Sequence, residues 1–252
     1  MVEQVSVDLH AVAVDIADVI KHDIKEITKI SDLDSILDQV NYSTLFRGVP
    51  NSDYRLIPSL FRHKNFAEDT LHIPPFMYTK EGDARTRENA LMWLFKTRAV
   101  QYLDRLPQSE IEWLTVAQHH GLPTRLLDWS LSPLVAIYFA VSQDPNNDGA
   151  LYVFYSSGFS KQEEIDIEKL KDVVAFFPAH ATRRVFVQSG LFTVHPIDMP
   201  EWINSDIKKL IVPSQYKASI TKRLFQYGIH QATLFPDLDG LARTIKFVHE
   251  YT

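Results

Sequence analysis

The chain has 252 residues, of which 45% are apolar and 23% charged, and its formal net charge is −6. This composition is typical of a globular protein with a sizeable core and excludes wholesale disorder. A mildly acidic chain is not built around a large nonspecific phosphate-binding face, although it leaves room for a local basic groove. The absence of cysteine excludes disulfides, thiolate–zinc sites and a cysteine nucleophile.

The chain shows no signal for secretion or membrane insertion. Its N-terminus lacks the basic region and apolar block of a secretory signal peptide. The longest apolar run, residues 134–141, is far shorter than the roughly 20 residues that span a bilayer. We therefore expect a cytoplasmic protein that makes no membrane contact.

The first half of the chain alternates helical and extended patterns. Apolar spacing over residues 1–40 predicts an N-terminal helical segment, separate from a domain over residues 41–252. The β-branched and aromatic segment "STLFRGV" (43–49) predicts a strand, and "PPFMYTKEGDART" (74–86) predicts an exposed loop. A helix is predicted from Arg87 onward, ending near Pro107.

A second helix and a strand follow at residues 108–130. "QSEIEWLTVAQHHG" predicts a helix with Ser109 as N-cap and Gly121 as C-cap. "TRLLDWS" (124–130) predicts a short buried strand. "SPLVAIYFAVSQ" then predicts a helix with Ser132 as N-cap and Pro133 at its first position.

The second half adds more strands. "GALYVFYS" (149–156), "RRVFVQSGLFTVHP" (183–196) and "KKLIVP" (208–213) are strand candidates, the last of them an edge strand. A helix over 214–228 follows, and residues 234–251 close the chain with a turn and a last helix. Because strands and helices do not alternate regularly, we expect an α+β fold with a central mixed sheet flanked by helices.

Four blocks of this sequence follow one family pattern: "LFRG" (45–48), "WLTVAQHHGLPTRLLDWSLSPLVAIYFAV" (113–141), "RRVFVQSGLFTV" (183–194) and "LFPDLDGLA" (234–242). The chain resembles the FRG domain family, which is named for an N-terminal Phe/Tyr-Arg-Gly triplet. The resemblance spans roughly residues 40–242. It implies a bacterial or phage-associated protein with a toxin or phage-defence role, for which an antitoxin or chaperone is a candidate partner.

A looser resemblance concerns the ADP-ribosyltransferases of the Arg-Ser-Glu type. These enzymes carry an arginine on the first strand, then a strand with a serine and a strand with a glutamate, around one NAD cleft. The order here is similar, with Arg47 in the first strand and Ser130 at the end of "TRLLDWS". Gln188 stands where the glutamate is expected. The resemblance implies an NAD cleft, with no metal, and leaves open which acid replaces the glutamate.

Arg47 and Gly48 are the first candidate site residues. A guanidinium can bind a phosphate or carboxylate through two hydrogen bonds, and a neighbouring glycine lets a ligand approach the backbone. The alternative is an internal ion pair that holds the sheet to a helix. A buried Asp128 would in turn be satisfied by a charged pair with Arg47 or with a histidine.

His119 and His120 are adjacent near a helix end. Neighbouring helical residues point about 100° apart, so the pair is poorly placed to chelate one metal. One ring can cap helix-end carbonyls, and the other can face a cleft as a hydrogen-bonding group or general acid/base. Between them, at least one is a candidate catalytic residue.

Several neighbours in the same block are candidates with structural alternatives. Asp128 lies between Leu127 and Trp129, so we expect it to be partly buried and paired. Strand alternation separates it from Arg125, a candidate cofactor ligand. Ser130 and Ser132 are good helix caps, and a helix N-terminus can also bind phosphate. Trp129 and Tyr138 are candidates for stacking on nicotinamide or adenine, although Tyr138 fits a core position.

Three more acidic or polar positions complete the set. Gln188 cannot act as a general base, but it can hold a ribose hydroxyl. Asp237 and Asp239 are the acidic pair that the family pattern offers, with a turn or helix cap as the alternative. There is no Gly-x-Ser-x-Gly and no glycine-rich phosphate loop.

These patterns predict an ADP-ribosyltransferase-like enzyme that uses NAD to modify RNA, DNA or protein. Arg47 would bind the dinucleotide, and Asp128 or Asp237 would be the acid. Two alternatives remain: a non-catalytic module that senses a nucleotide or binds a partner, and a nuclease that uses His119 or His120 with Asp128.

Overall fold

The computed structural model of the chain describes residues 25–38, 40–62, 84–179 and 183–251. The helical pattern before residue 25 and most of the loop predicted at 74–86 lie outside the described residues. No helix within these four ranges is long and apolar enough to cross a bilayer.

The strands are β1 (Thr44–Val49), β2 (Leu126–Ser130), β3 (Gly149–Tyr155), β4 (Val174–Phe176), β5 (Gly190–Val194) and β6 (Ile207–Val212). They form one sheet in the order β4-β5-β2-β1-β3-β6. The helices of the described chain are α1 (Asp34–Leu37), α2 (Ser59–Arg62), α3 (Ala84–Ala99), α4 (Glu110–His119), α5 (Pro133–Val141), α6 (Arg183–Val187), α7 (Ser214–Gln226), α8 (Gln231–Leu234) and α9 (Leu238–Tyr251). This architecture confirms the α+β class.

The sheet is antiparallel between all its neighbouring strands, where a mixed sheet was predicted. The reason lies in the placement of β1. Helix α5 connects β2 to β3, which run parallel to each other, as a strand–helix–strand crossover requires. Because β1 lies between these two strands and runs against both, no two direct neighbours are parallel.

Helix α5 begins and packs as the sequence predicts. The Ser132 side chain accepts a hydrogen bond from the Val135 amide, and Pro133 follows at the first helical position. The helix lies directly against the sheet because glycines face it. A Cβ on Gly48 would fall 1.7 Å from the Ala136 carbonyl oxygen, so only glycine fits there. The close approach predicted at Gly48 is therefore made by a helix.

The two faces of the sheet have separate cores. On one face, Phe46 and Leu151 pack with residues of α5 and α7, and farther along the same face Leu126 packs with Leu114 of α4. On the opposite face, the side chains of Trp129 and Trp202 form the centre of a third cluster. Helices α4 and α5 thus cover neighbouring parts of one face, on either side of the border between β1 and β2.

The segment 183–196 departs from the prediction of one continuous strand. Its first part is helix α6, and its last part is β5. Between them Ser189 adopts a positive φ of 48°, which turns the chain into the strand. Val185 is buried against β5, and Gly190 lies 3.1 Å, measured from an ideal Cβ, from the Val185 carbonyl oxygen. This tertiary packing favours a helical turn over the strand propensity of valine and phenylalanine.

Candidate functional site

The site centres on the place where β1 and β2 separate, which we call the β1–β2 junction (Arg47, Gln118, His119, Asp128). The described register between these strands consists of one pair, Phe46 with Ser130, whereas β1 and β3 pair over six residues. Beyond that pair, the guanidinium of Arg47 takes the place of a strand hydrogen bond. Its Nη1 donates to the Asp128 carbonyl oxygen at 2.6 Å.

The Arg47 side chain is confined but not sealed, with 15% of its surface exposed. Burial lowers the pKa of the guanidinium from its usual value, while the nearby Asp128 carboxylate acts in the opposite direction and Arg62 adds to the lowering. The Nη1 atom lies 3.7 Å from Asp128 Oδ2, an ion-pair distance longer than a hydrogen bond. The guanidinium therefore keeps hydrogen-bonding capacity that the described residues do not use.

Asp128 is more exposed than its neighbours predict, with 61% of its side chain accessible. It lies on the sheet face that α4 and α5 cover, at the border between the two helices, where neither covers it. The side-chain Nε2 of Gln118 donates to Asp128 Oδ2 at 2.9 Å, and the side-chain Oε1 of Gln118 accepts from the Thr124 hydroxyl at 2.6 Å. These bonds fix the orientation of an accessible carboxylate beside a cation, an arrangement suited to an electrostatic role.

The histidine pair divides between two sides of α4. The rings of His119 and His120 are in edge-to-face contact, with centroids 5.0 Å apart and an interplanar angle of 86°, but the two rings have different further neighbours. His119 interacts electrostatically with Asp128 and Arg184, whereas His120 lines an apolar cavity between α3 and α4. Burial lowers the pKa of His119, electrostatic interactions with His120 and Arg184 lower it further, and the Asp128 carboxylate acts in the opposite direction. His119 is therefore neutral near neutral pH and able to accept a proton.

Ser130 and Gln188 are joined by a hydrogen bond from the Ser130 side chain to the Gln188 backbone. The Ser130 hydroxyl donates to the Gln188 carbonyl oxygen at 2.7 Å and accepts from the Ser132 amide at 2.9 Å. The Gln188 side chain donates to the Leu234 carbonyl oxygen at 3.0 Å. The Ser130 side chain thus holds the start of α5 against the turn after α6, and the Gln188 side chain holds that turn to the end of α8. Gln188 thus occupies the third place in the Arg–Ser–Gln order, and its backbone carbonyl is bonded to Ser130 at the end of β2.

Trp129 lies in the core beneath the junction. Its side chain is 3% exposed, and its Nε1 donates to the Thr193 hydroxyl at 3.0 Å. The same hydroxyl is 3.2 Å from His195 Nε2, while His195 Nδ1 is buried without a hydrogen-bond partner among the described residues. Burial, with a smaller contribution from Arg47, lowers the pKa of His195 to about 3. Trp129 is thus packed too deeply to stack on a ligand.

Sequence reasoning did not identify His195 or Gln118 as part of this region. His195 lies near the end of the strand segment predicted at 183–196, one residue beyond the family block 183–194. Its position under the sheet depends on the pairing of β5 with β2. Gln118 directly precedes the histidine pair in "QHHG", and that block was the available signal.

Arg125 lies away from the junction. It is 1% exposed, and its Nε and Nη2 bind the carboxylate of Glu88 on α3. Its Nη1 donates to the Ile167 carbonyl oxygen at 3.1 Å. The strand alternation that separates Arg125 from Asp128 is consistent with this placement. These contacts hold α3 and the Ile167 backbone against β2, so Arg125 stabilises the fold.

Three other candidates occupy different places. Tyr138 of α5 is largely buried and its hydroxyl bonds to the Gln231 side chain, away from Arg47. Asp237 accepts a hydrogen bond from the Gly240 amide at 2.7 Å, as the turn interpretation predicts, and Asp239 lies in the first turn of α9. Of the acids considered, Asp128 is the one beside Arg47. Among the described ranges, no group of three or more histidines and acids could hold a metal ion.

Comparison with known proteins gives one match. The family model of the FRG domain matches residues 42–149, from just before β1 to the first residue of β3. This range includes the junction and α5, while β4 to β6 lie beyond it. Neither the curated proteins nor the solved structures contain a match to this chain. The Phe46-Arg47-Gly48 triplet lies in that matched range: its phenylalanine packs in the core, its arginine lies at the junction and its glycine leaves room for α5. Residues 42–149 therefore match the FRG domain family.

Proposed function

We propose that this FRG domain binds NAD at the β1–β2 junction and transfers ADP-ribose to a macromolecule, as an ADP-ribosyltransferase-like enzyme. The observation that carries the proposal is the meeting of Arg47 with an accessible carboxylate where two central strands separate. The order of Arg47 on β1, Ser130 on β2 and Gln188 before β5 is similar to the Arg-Ser-Glu pattern. The chain departs from that pattern at Gln188.

Arg47 would bind the anionic part of NAD. Its unused N–H groups suit a phosphate oxygen, and its partial burial strengthens the attraction compared with a fully hydrated surface arginine. Asp128 keeps the guanidinium in place through its backbone carbonyl, so the arginine enters binding already oriented. Preorganisation of this kind reduces the entropic cost of binding.

The chemistry would use Asp128 and His119 in different roles. The bond between the ribose C1 and the nicotinamide nitrogen breaks, and nicotinamide leaves with the bonding electron pair. The Asp128 carboxylate stabilises the positive charge that develops on the ribose. A nucleophile of the acceptor then bonds to C1, and neutral His119 accepts its proton. Nicotinamide, one proton and the ADP-ribosylated acceptor are the products.

Incubation of the purified chain with radiolabelled NAD tests this proposal. We expect bound NAD and released nicotinamide for the unmodified chain, little NAD binding by Arg47→Ala, and NAD binding without release by Asp128→Asn. Arg223→Ala on α7 is a matched control, since that arginine is exposed and bonds within its own helix. Absence of both binding and release by the unmodified chain would overturn the proposal.

The two alternatives give different results in the same experiment. If NAD binds but nicotinamide is not released with any acceptor supplied, the domain is a sensing module. The glutamine at position 188 favours this outcome. Cleavage of nucleic acid that requires His119 and Asp128 indicates a nuclease, which the proximity of these two side chains favours. The family resemblance implies a toxin or phage-defence role, with an antitoxin or chaperone as partner. Under this role, expression of the unmodified chain should arrest cell growth, and expression of Asp128→Asn should not.

A further inference from the structure

A second candidate binding site lies beside α5, away from Arg47. It is a groove of about 620 Å³ between α5, α7, α8 and α9, which we call the aromatic groove. Its volume is in the range of ligand-binding pockets, roughly 300–1,000 Å³. Its aromatic lining consists of Tyr138, Phe139, Phe225, His230, Phe235 and Phe247.

Flat rings are presented on more than one wall of the aromatic groove. Phe225 of α7 and Phe247 of α9 are stacked with centroids 5.5 Å apart and an interplanar angle of 28°. On the other side, Phe139 and Phe235 meet edge to face at 6.2 Å. Such surfaces favour a planar aromatic group because stacking on a ring buries both faces from water.

The groove is also cationic. Arg184 places its guanidinium over the Phe235 ring, 4.4 Å from the centroid. Arg243 of α9 is exposed, interacts with the Tyr138 hydroxyl electrostatically, and makes no hydrogen bond or ion pair with another residue of the described chain. No aspartate or glutamate is among the groove's lining residues. The positive charge of the groove is therefore not neutralised locally.

Lys217 also lines the groove, but its charged group is engaged by the backbone. Its ammonium is bound by three backbone carbonyl oxygens, those of Pro50, Gln143 and Asp144. His230 adds a further polar atom, because its Nδ1 is buried with no hydrogen-bond partner among the described residues. Burial lowers the pKa of His230, so the neutral ring can accept or donate one hydrogen bond there.

From this combination of stacked rings, unpaired cations and missing acids, we infer that the aromatic groove binds a nucleotide. The base would stack on the phenylalanines, and its phosphate would bind Arg243 and Arg184. Arg184 also interacts with His119, so it lies between this groove and the β1–β2 junction. Two kinds of ligand present such a base and phosphate: a free nucleotide such as AMP, and a nucleotide within single-stranded nucleic acid. The inference does not require transferase activity.

Titration of the full chain with AMP, and separately with a short labelled single-stranded oligonucleotide, tests the inference. Binding of AMP alone assigns a small-nucleotide site, and preferential binding of the oligonucleotide assigns a strand-binding site. We expect Arg243→Gln to weaken the observed binding by about tenfold, the loss of one charge-assisted contact. Phe247→Leu should weaken it comparably through loss of stacking.

Two controls separate this site from the junction. Arg223→Gln removes an exposed arginine of α7 that does not line the groove and should leave binding unchanged. The effect of Arg243→Gln should persist in an Arg47→Ala background, in which the junction no longer contributes to binding, so failure of the proposed function does not mimic failure here. Thermal unfolding confirms that each variant is folded. Absence of binding by both probes, or binding unaffected by Arg243→Gln and Phe247→Leu, would overturn the inference.

Discussion

Two arginines near the central strands show how differently one side chain can be used. Arg125, just before β2, is 1% exposed, and its carboxylate partner Glu88 has a side chain only 5% exposed. Arg47 on β1 is 15% exposed, and its carboxylate neighbour Asp128 is 61% exposed. The first pair is saturated and closed, whereas the second retains hydrogen-bonding capacity beside solvent. A buried charge with complete partners serves the fold, and an incompletely bonded charge at an opening is available to a ligand.

Breaking the closed pair should have the largest effect on stability. Glu88→Gln leaves the Arg125 guanidinium buried without its countercharge, which we expect to cost about 3–5 kcal/mol of unfolding free energy. Urea denaturation followed by circular dichroism measures it. Glu168→Gln, in the exposed pair with Arg85, is the matched control and should cost less than about 1 kcal/mol. Equal effects of the two substitutions would contradict the contrast between closed and open pairs.

His195, which contacts both regions, should make stability depend on pH. Its amide donates to the Arg125 carbonyl oxygen, and its pKa is about 3 in the fold against 6.5 ordinarily. In the unfolded chain His195 binds a proton as the pH falls below 6.5, whereas in the folded chain it stays neutral until the pH reaches about 3. Stability is therefore lost across that window, by about 2 kcal/mol at pH 5.

The comparison with His195→Gln isolates this contribution. Urea denaturation of both proteins at several pH values should show the unmodified chain losing more stability as pH falls, so that the two profiles converge. Parallel profiles would show that His195 does not stay neutral in the fold.

Replacing the arginine of the open pair should have a smaller effect on stability. Arg47→Met removes one hydrogen bond to a carbonyl that water can reach, at a cost of about 1 kcal/mol. It should also raise the pKa of His195, because Arg47 disfavours the imidazolium. NMR titration of the imidazole measures this shift, and Arg47→Lys, which keeps the charge, should retain most of the lowering. An unchanged His195 pKa in Arg47→Met would place the two groups too far apart to interact.

Asp128→Asn should have the smallest effect on the fold. The side chain is exposed, and asparagine can still accept the hydrogen bond from Gln118, so the unfolding free energy should change by less than about 0.5 kcal/mol. Under the proposed function, nicotinamide release should fall by about 10²-fold or more, since the developing charge loses its carboxylate. A stability loss comparable to that of Glu88→Gln would instead assign Asp128 to the fold.

Local signals in the sequence located much of the fold. The N-cap role of Ser109 is seen in its bond with the Glu112 amide. The C-cap is His120, and Gly121, where it was expected, follows directly with a positive φ of 81° that ends the helix. β1, β2, β3 and β6 also lie where alternation and β-branched residues predicted them. These features depend on neighbours within a few residues. The helical start of 183–187 and the antiparallel order of the sheet were missed because distant packing decides them.

For the candidate site, the sequence identified the segments but not the function of each side chain. The "FRG" and "HHGLPTRLLDWS" blocks do come together, and Arg47, Asp128 and His119 share the junction. Nothing in the sequence says that Arg125 pairs with Glu88, 37 positions earlier. The exposure of Asp128 was also wrongly predicted from its apolar neighbours, because alternation turns it to the border between two helices.

The sequence by itself determined most of the longer helices and strands, the N-caps of α4 and α5, and that an arginine precedes a glycine on the first strand. Such features follow from backbone sterics, side-chain periodicity and local hydrogen bonds. Only the tertiary structure decided that Arg125 is sealed in an ion pair while Arg47 stays accessible beside Asp128. Burial and charge pairing depend on contacts between residues far apart in the chain, and these determine whether a charged group serves the fold or remains open to a ligand.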